Sequence, residues 1–148
     1  MTESWINKYL NQAEFIANNY SKDPSTKVGA VIVSKDNSIL SQGWNGFSRG
    51  VCDYGFRLND RAIKYNLIVH AEANAIYNAS REGISLLDSS IYLYPLPPCS
   101  HCANAIVQSG IKTVYIRLKE DYDMKRWEES WAVSKLIFVE AGVDWRIV

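Results

Sequence analysis

The sequence predicts an α/β fold in which a mixed five-stranded sheet is flanked by helices on both faces. Apolar strand segments and amphipathic helical segments alternate in the order α, β, β, α, β, α, β, α, β. Only the polar turn Lys35-Asp36-Asn37-Ser38 separates the first two strands, so they form an antiparallel hairpin, whereas helices separate the later strands and make them parallel. The 148 residues, 47% of them apolar, suit a single domain over 1–148 with one core.

Each element has a sequence cause. Trp5, Tyr9, Ala13, Ile16 and Tyr20 recur at helical spacing, which predicts a helix over 5–20 that covers the sheet. Lys27 to Ser34 and Ile39 to Gly43 read as the hairpin strands. Trp44 to Leu67 is a long, polar, partly helical insertion, and such excursions inside a compact domain are often functional. Ala71, Ala73, Asn74, Ala75, Ile76 and Ala79 favour a helix that begins near His70 and ends near Gly83. Ile91 to Leu96 is a strand stopped by Pro97-Pro98, and a second helix follows from Cys99 through Ala103 to Val107, closed by Gly110. Ile111 to Leu118 is the next strand. Trp127, Trp131, Ser134, Phe138 and Ala141 trace a last helix, Gly142 stops it, and Val143 to Val148 is the final strand.

Two short segments carry the chemistry. His70-Ala71-Glu72 is answered, 27 residues after the glutamate, by Pro98-Cys99-Ser100-His101-Cys102. Zinc takes thiolate and imidazole ligands in a tetrahedron, and a catalytic site leaves one corner to water or substrate, so the three ligands His70, Cys99 and Cys102 suggest catalysis. Both ligand sets open helices, where orphan amides and the positive dipole end favour thiolates. Cys99 and Cys102 share a helix face at i and i+3, while His101 projects elsewhere. Two thiolates cancel the charge of a zinc ion and weaken it as a Lewis acid, so a nearby base must help ionise water. Glu72 is placed to be that base and to shuttle the proton afterwards.

Taken alone, each piece has a plainer reading. A lone His-Ala-Glu is common, and a lone Cys-x-x-Cys can be a redox pair or half of a structural zinc site. Three cysteines cannot build a four-cysteine site, which turns the conjunction toward catalysis. Cys52 is the leftover thiol in a polar loop. A fourth ligand from His101 would close the site, so it is read as a solvent-facing or substrate-adjacent residue.

Composition sets the remaining bounds. No run of eighteen apolar residues exists, and Met1-Thr2-Glu3-Ser4 lacks the features of a secretory signal, so a cytoplasmic protein is expected, in the host cytoplasm for a viral source. Sixteen basic and sixteen acidic residues give zero net charge, without the footprint of a nucleic-acid binder. A small substrate is expected, with no membrane and no nucleic acid as partner. The five tryptophans and nine tyrosines read mostly as core or subunit interface.

The two segments match the signature of zinc deaminases acting on cytosine and adenine bases. Nearly the whole chain resembles the deoxycytidylate (dCMP) deaminases of the cytidine deaminase superfamily. The resemblance rests further on Thr26-Lys27-Val28-Gly29-Ala30, Asn45-Gly46, Lys64-Tyr65, the extended His70-Ala71-Glu72-Ala73-Asn74-Ala75-Ile76, Gln108-Ser109-Gly110-Ile111-Lys112 and Ala141-Gly142-Val143. It implies the three-layer cytidine deaminase-like fold, one zinc ion per subunit, and conversion of dCMP to dUMP for thymidylate synthesis. It also implies a homohexamer activated by dCTP and inhibited by dTTP. By the same resemblance Ser25, Thr26 and Lys27 surround the phosphate, Asn45 contacts base or sugar, Ala71 borders the substrate, and Tyr122 lies against the nucleotide. Gly46 and Arg81 are the regulatory candidates. Ser48 stands where the family usually has proline, and Pro97 where an aromatic is common. Alternatives are a bifunctional dCTP/dCMP deaminase, a tRNA adenosine deaminase, a nucleobase, nucleoside or riboflavin-pathway deaminase, and a non-catalytic zinc-stabilised scaffold with no use for Glu72.

Overall fold

The expected hairpin is formed by β1 (Gly29–Val33) and β2 (Ile39–Trp44), paired antiparallel. The computed structural model describes residues 2–148, without the side chains of Met124, Arg126 and Trp127, so the expected inward place of Trp127 lies outside the described residues. The first helix, α1 (Glu3–Tyr20), precedes the hairpin. Beyond it come α4 (Ala71–Arg81), β5 (Ser90–Tyr94), α5 (Ser100–Gln108), β6 (Thr113–Ile116), α6 (Met124–Ala141) and β7 (Asp144–Ile147). The sheet order is β2-β1-β5-β6-β7, with β5, β6 and β7 parallel and β1 antiparallel to β5. This is the predicted mixed five-stranded sheet.

Strand alternation divides the core into two layers. Val31, Val33, Tyr92, Tyr94 and Tyr115 pack against α1. Ala30, Ile32, Ile91, Leu93, Val114 and Ile116 face Ala71, Ala75 and Ala79 of α4, Ala103 and Ile106 of α5, and Trp131 and Phe138 of α6. Small alanines let the two ligand-bearing helices lie close to the sheet.

Some boundaries and faces differ from expectation. The buried face of α1 is Ile6, Tyr9, Leu10, Ala13, Ile16 and Ala17, while Trp5 and Tyr20 are 40% and 48% exposed. Steps of four residues drift about 40° around a helix, so the line from Trp5 to Tyr20 leaves the face that the sheet covers. Trp5 instead stacks on Tyr9, and Tyr20 on Trp44. β5 ends at Tyr94, two residues early, because Pro95 lacks the N–H a ladder needs.

The insertion contains more order than its polarity suggested. It holds α2 (Gly55–Asn59), α3 (Arg61–Leu67) and β3 (Gly46–Phe47), which forms a two-residue antiparallel ladder with β4 (Ile68–Val69) just beyond it. Asp60 caps α3 by accepting a hydrogen bond from the Ile63 amide. Pairings two residues long have no period for sequence reading to detect. Among the described residues no helix is long and apolar enough to cross a membrane.

α4 is fastened to β2. Ser41 Oγ donates to the Ala75 carbonyl at 2.6 Å, and the amides of Asn74 and Asn78 donate to the carbonyls of Trp44 and Gln42, each at 2.8 Å. Gly43 makes this approach possible. A Cβ there would lie 2.6 Å from the Ala71 carbonyl oxygen and press on the Ala75 amide nitrogen, both backbone atoms that cannot yield. Gly43→Ala should therefore cost on the order of 3 kcal/mol, read by urea unfolding, and should loosen the helix that begins at His70. An unchanged unfolding midpoint would show that α4 is not held this closely.

Candidate active site and metal centre

The sequence places each ligand set at a helix start, and the chain folds that way. His70 follows β4 directly and is the N-cap residue of α4; Cys99 is the N-cap residue of α5, reached from β5 through the Pro95 to Pro98 turn. Both caps have extended backbone, which turns the chain into its helix and brings the two termini together. His70 Nδ1 lies 3.5 Å from Cys99 Sγ and 3.4 Å from Cys102 Sγ, and all three ligand atoms fall within 4.8 Å of one another. Zinc bonds of about 2.3 Å to sulfur and about 2.0 Å to nitrogen, set at tetrahedral angles, separate the two donors by about 3.5 Å. The donor set fits zinc in chemistry and spacing. His101 is exposed outside this group, as expected, and so is Cys52.

The electrostatics of the cluster follow from its crowding. The Cys99 thiol is pushed down to about 4, first by its hydrogen bond with Cys102 and then, against burial, by His70. The Cys102 thiol moves strongly up, since it keeps the shared proton for Cys99 and is itself buried. Coordination by both sulfurs must release that proton. His70 is raised, first by its bond with Cys99, with burial opposing and the Glu72 carboxylate assisting. Glu72 is 2% exposed, and burial raises its carboxyl despite the opposing pull of His70. A carboxylate so placed binds a proton more readily than one in water and can give it up again.

These groups open onto a cavity of about 190 Å³. Val28, Ile68, Ala71, Leu96, Pro97, Pro98 and Trp131 give it apolar walls, while Asp23, Ser25, Thr26, Asn45, Arg61, Lys64, Tyr65 and Ser130 give it polar ones. His70, Glu72 and Cys99 line it too. An apolar space with a few convergent polar groups is the usual form of a small-molecule site.

Of the expected substrate residues, Ser25, Thr26, Asn45 and Ala71 line this cavity. Asn45 does so with its amide already engaged. Its Oδ1 accepts from Ser21 Oγ at 2.7 Å and the Val28 amide at 2.9 Å, and its Nδ2 donates to the Thr26 carbonyl at 2.8 Å and Asp23 Oδ2 at 3.3 Å. It therefore clamps the 21–28 loop. Lys27 is not in the lining, because its ammonium donates to the Ser21 carbonyl at 2.7 Å. Tyr122 is not in the lining either: its amide closes a turn onto the Lys119 carbonyl at 3.0 Å, beyond β6. Gly46 pairs with Val69 in the small ladder, and Arg81 is exposed in the last turn of α4, both apart from the cavity.

Residue reading passed over Asp23, Arg61, Lys64, Tyr65, Ser130 and Trp131 as site residues. One signal existed: Asp23-Pro24-Ser25-Thr26 is an aspartate-initiated turn, and Asp23 Oδ1 does accept from the Ser25 and Thr26 amides at 2.9 and 3.2 Å. In α3 the one signal was Lys64-Tyr65, which marked the family resemblance without assigning either residue a role, because a seven-residue helix is too short to show which face meets a cavity.

Comparison with known proteins gives one consistent picture. The family model of the cytidine and deoxycytidylate deaminase zinc-binding region matches residues 3–118. The uncharacterized deaminase in the luxG 3' region of Aliivibrio fischeri is 40% identical over 144 residues, 97% of this chain and 93% of that one. Deoxycytidylate deaminase of Mus musculus is 34% identical over 144 residues, 94% of this chain and 77% of that one. Among solved structures, dCMP deaminase of the cyanophage S-TIM5 in complex with dCMP and dUMP superposes with a TM-score of 0.78 at 28% identity, covering 100% of this chain and 99% of that one.

Proposed function

Because the chain belongs to the cytidine and deoxycytidylate deaminase family, we propose that it hydrolyses dCMP to dUMP and ammonia. The observation that carries this reading is the buried Glu72 carboxylate beside a three-ligand zinc site, at the wall of a cavity that also holds Arg61 and Lys64. The mouse relative and the phage structure with dCMP and dUMP support the choice of substrate.

His70, Cys99 and Cys102 would hold the zinc ion, which would supply the Lewis acidity that makes water a nucleophile at neutral pH. Glu72 would take a proton from the attacking water and pass it to N3 of the cytosine ring, which makes C4 electrophilic. It then takes the second water proton and delivers it to the departing 4-amino group. One water is consumed, the C4–N bond breaks, a C4 carbonyl forms, ammonia leaves, and Glu72 ends as it began. The apolar walls keep other water away from the reacting carbon.

The same reading extends to the cytoplasm, to a homohexamer, and to dCTP and dTTP as effectors near Gly46 and Arg81. Zinc-loaded protein given dCMP, CMP, dCTP and deoxycytidine in parallel should show its highest kcat/KM with dCMP, with ammonia released in step with the ultraviolet change. Turnover of none of the four overturns the function. Sedimentation with and without dCTP tests the assembly.

A further inference from the structure

We propose that Lys64 is the residue that reads the substrate's phosphate ester, with Asp23 as the positioning residue that aims it. The inference rests on the dCMP reading above and names how that substrate is chosen.

Lys64 stands in the cavity wall on α3 with a side chain only 12% exposed. Its ammonium meets Asp23 Oδ1 at 3.2 Å and Ser25 Oγ at 2.8 Å. An ammonium has three hydrogens, and these two contacts use two of them among the described residues. The remaining donor of a largely buried cation beside an open cavity is suited to a ligand acceptor. Asp23 cannot move aside easily: it is 5% exposed and also accepts from the Ser25 and Thr26 amides and from Asn45 Nδ2. One carboxylate thus fixes the turn at 23–26 and the direction of Lys64 together. Burial works against its ionisation, yet the Ser25 amide and hydroxyl, the Thr26 amide and Lys64 hold its carboxyl below the usual range.

Charge decides what ligand fits. Asp23 offsets one cation, and Arg61, one helical turn before Lys64, lines the same cavity, so this wall keeps an excess of positive charge. A phosphomonoester dianion answers that excess and gives the remaining Lys64 donor an acceptor, and charge-assisted bonds of this kind are about twice as strong as neutral ones. A nucleoside lacks the group and leaves the Lys64 donor unanswered. Lys27, whose ammonium is committed to the Ser21 carbonyl, is not placed for the task.

The test compares dCMP with deoxycytidine in turnover, and dUMP with deoxyuridine in calorimetric binding. Lys64→Met should lower both phosphate-to-nucleoside ratios by about 10- to 100-fold. Lys64→Arg should keep most of the ratio, and Asp23→Asn should raise KM for dCMP with kcat nearly constant. A Lys64→Met protein with unchanged ratios, or with equal losses on both substrates, overturns the proposal. So does a Lys27→Met protein that loses the ratio while Lys64→Met keeps it. If the wild type turns over neither cytosine compound, the function falls, while the dUMP-to-deoxyuridine binding ratio still decides the role of Lys64.

Discussion

Glu72→Gln should lower kcat with dCMP by about 10³-fold, within the range that a positioned general acid-base supplies, while equimolar zinc stays bound. The amide matches the carboxylate in size and cannot accept the water proton or return it to the leaving amine. Glu72 belongs to no ligand pair: His70, Cys99 and Cys102 are the group whose donor atoms converge, so the metal does not depend on it. Burial penalises the charged form of Glu72, so an uncharged replacement in the same place should leave the melting temperature at neutral pH equal or higher. Metal content, melting temperature and turnover measured on one preparation separate this from misfolding. A zinc-loaded, folded Glu72→Gln protein that still turns over dCMP near the wild-type rate removes Glu72 from the mechanism and, with it, the distinction from a zinc-stabilised scaffold.

The metal site was legible because its residues lie close in sequence within each half. His70 and Glu72 fall in one helical turn, Cys99 and Cys102 in another, and local helix geometry alone orients them. What sequence spacing does not contain is the meeting of the halves, which the parallel pairing of β5 with β6 and the packing of α4 and α5 on one sheet face produce. The substrate side was harder. Asp23, Asn45 and Lys64 come from a loop, a strand end and a short helix, 41 residues apart at the extremes, and only their hydrogen bonds reveal one cluster. Family resemblance pointed at Lys27 and Tyr122, neither of which is among the residues that line the cavity. The sheet was legible from alternation and proline stops, the face of α1 less so. Large aromatics draw attention, but Leu10, Ala13 and Ala17, fully buried, define where the helix touches. Small residues at close contacts carry little weight in a hydropathy pattern and much in packing, as Gly43 beneath α4 also illustrates.

Cys102→Ala should release the metal and end turnover together, which Glu72→Gln should not. Cys102 is 4% exposed and provides one of the two sulfurs near His70 Nδ1, so its loss leaves two donors where a tetrahedral catalytic ion needs three from the protein. Bound zinc should fall below about a tenth of an equivalent, and kcat with it, because activation of water depends on the ion. Stability should fall as well. An ion that binds only the folded chain stabilises it by mass action, about 4 kcal/mol at a free concentration 1,000 times its dissociation constant. Treating the wild type with a strong chelator should reproduce both losses without any mutation, and added zinc should restore melting temperature and turnover in parallel. Because the two thiols share one proton in this cluster, reloading should also release a proton, measurable in weakly buffered solution. A Cys102→Ala protein that keeps an equivalent of zinc and its turnover would mean that the ion is held elsewhere, and the arrangement of α4 against α5 would then need another cause.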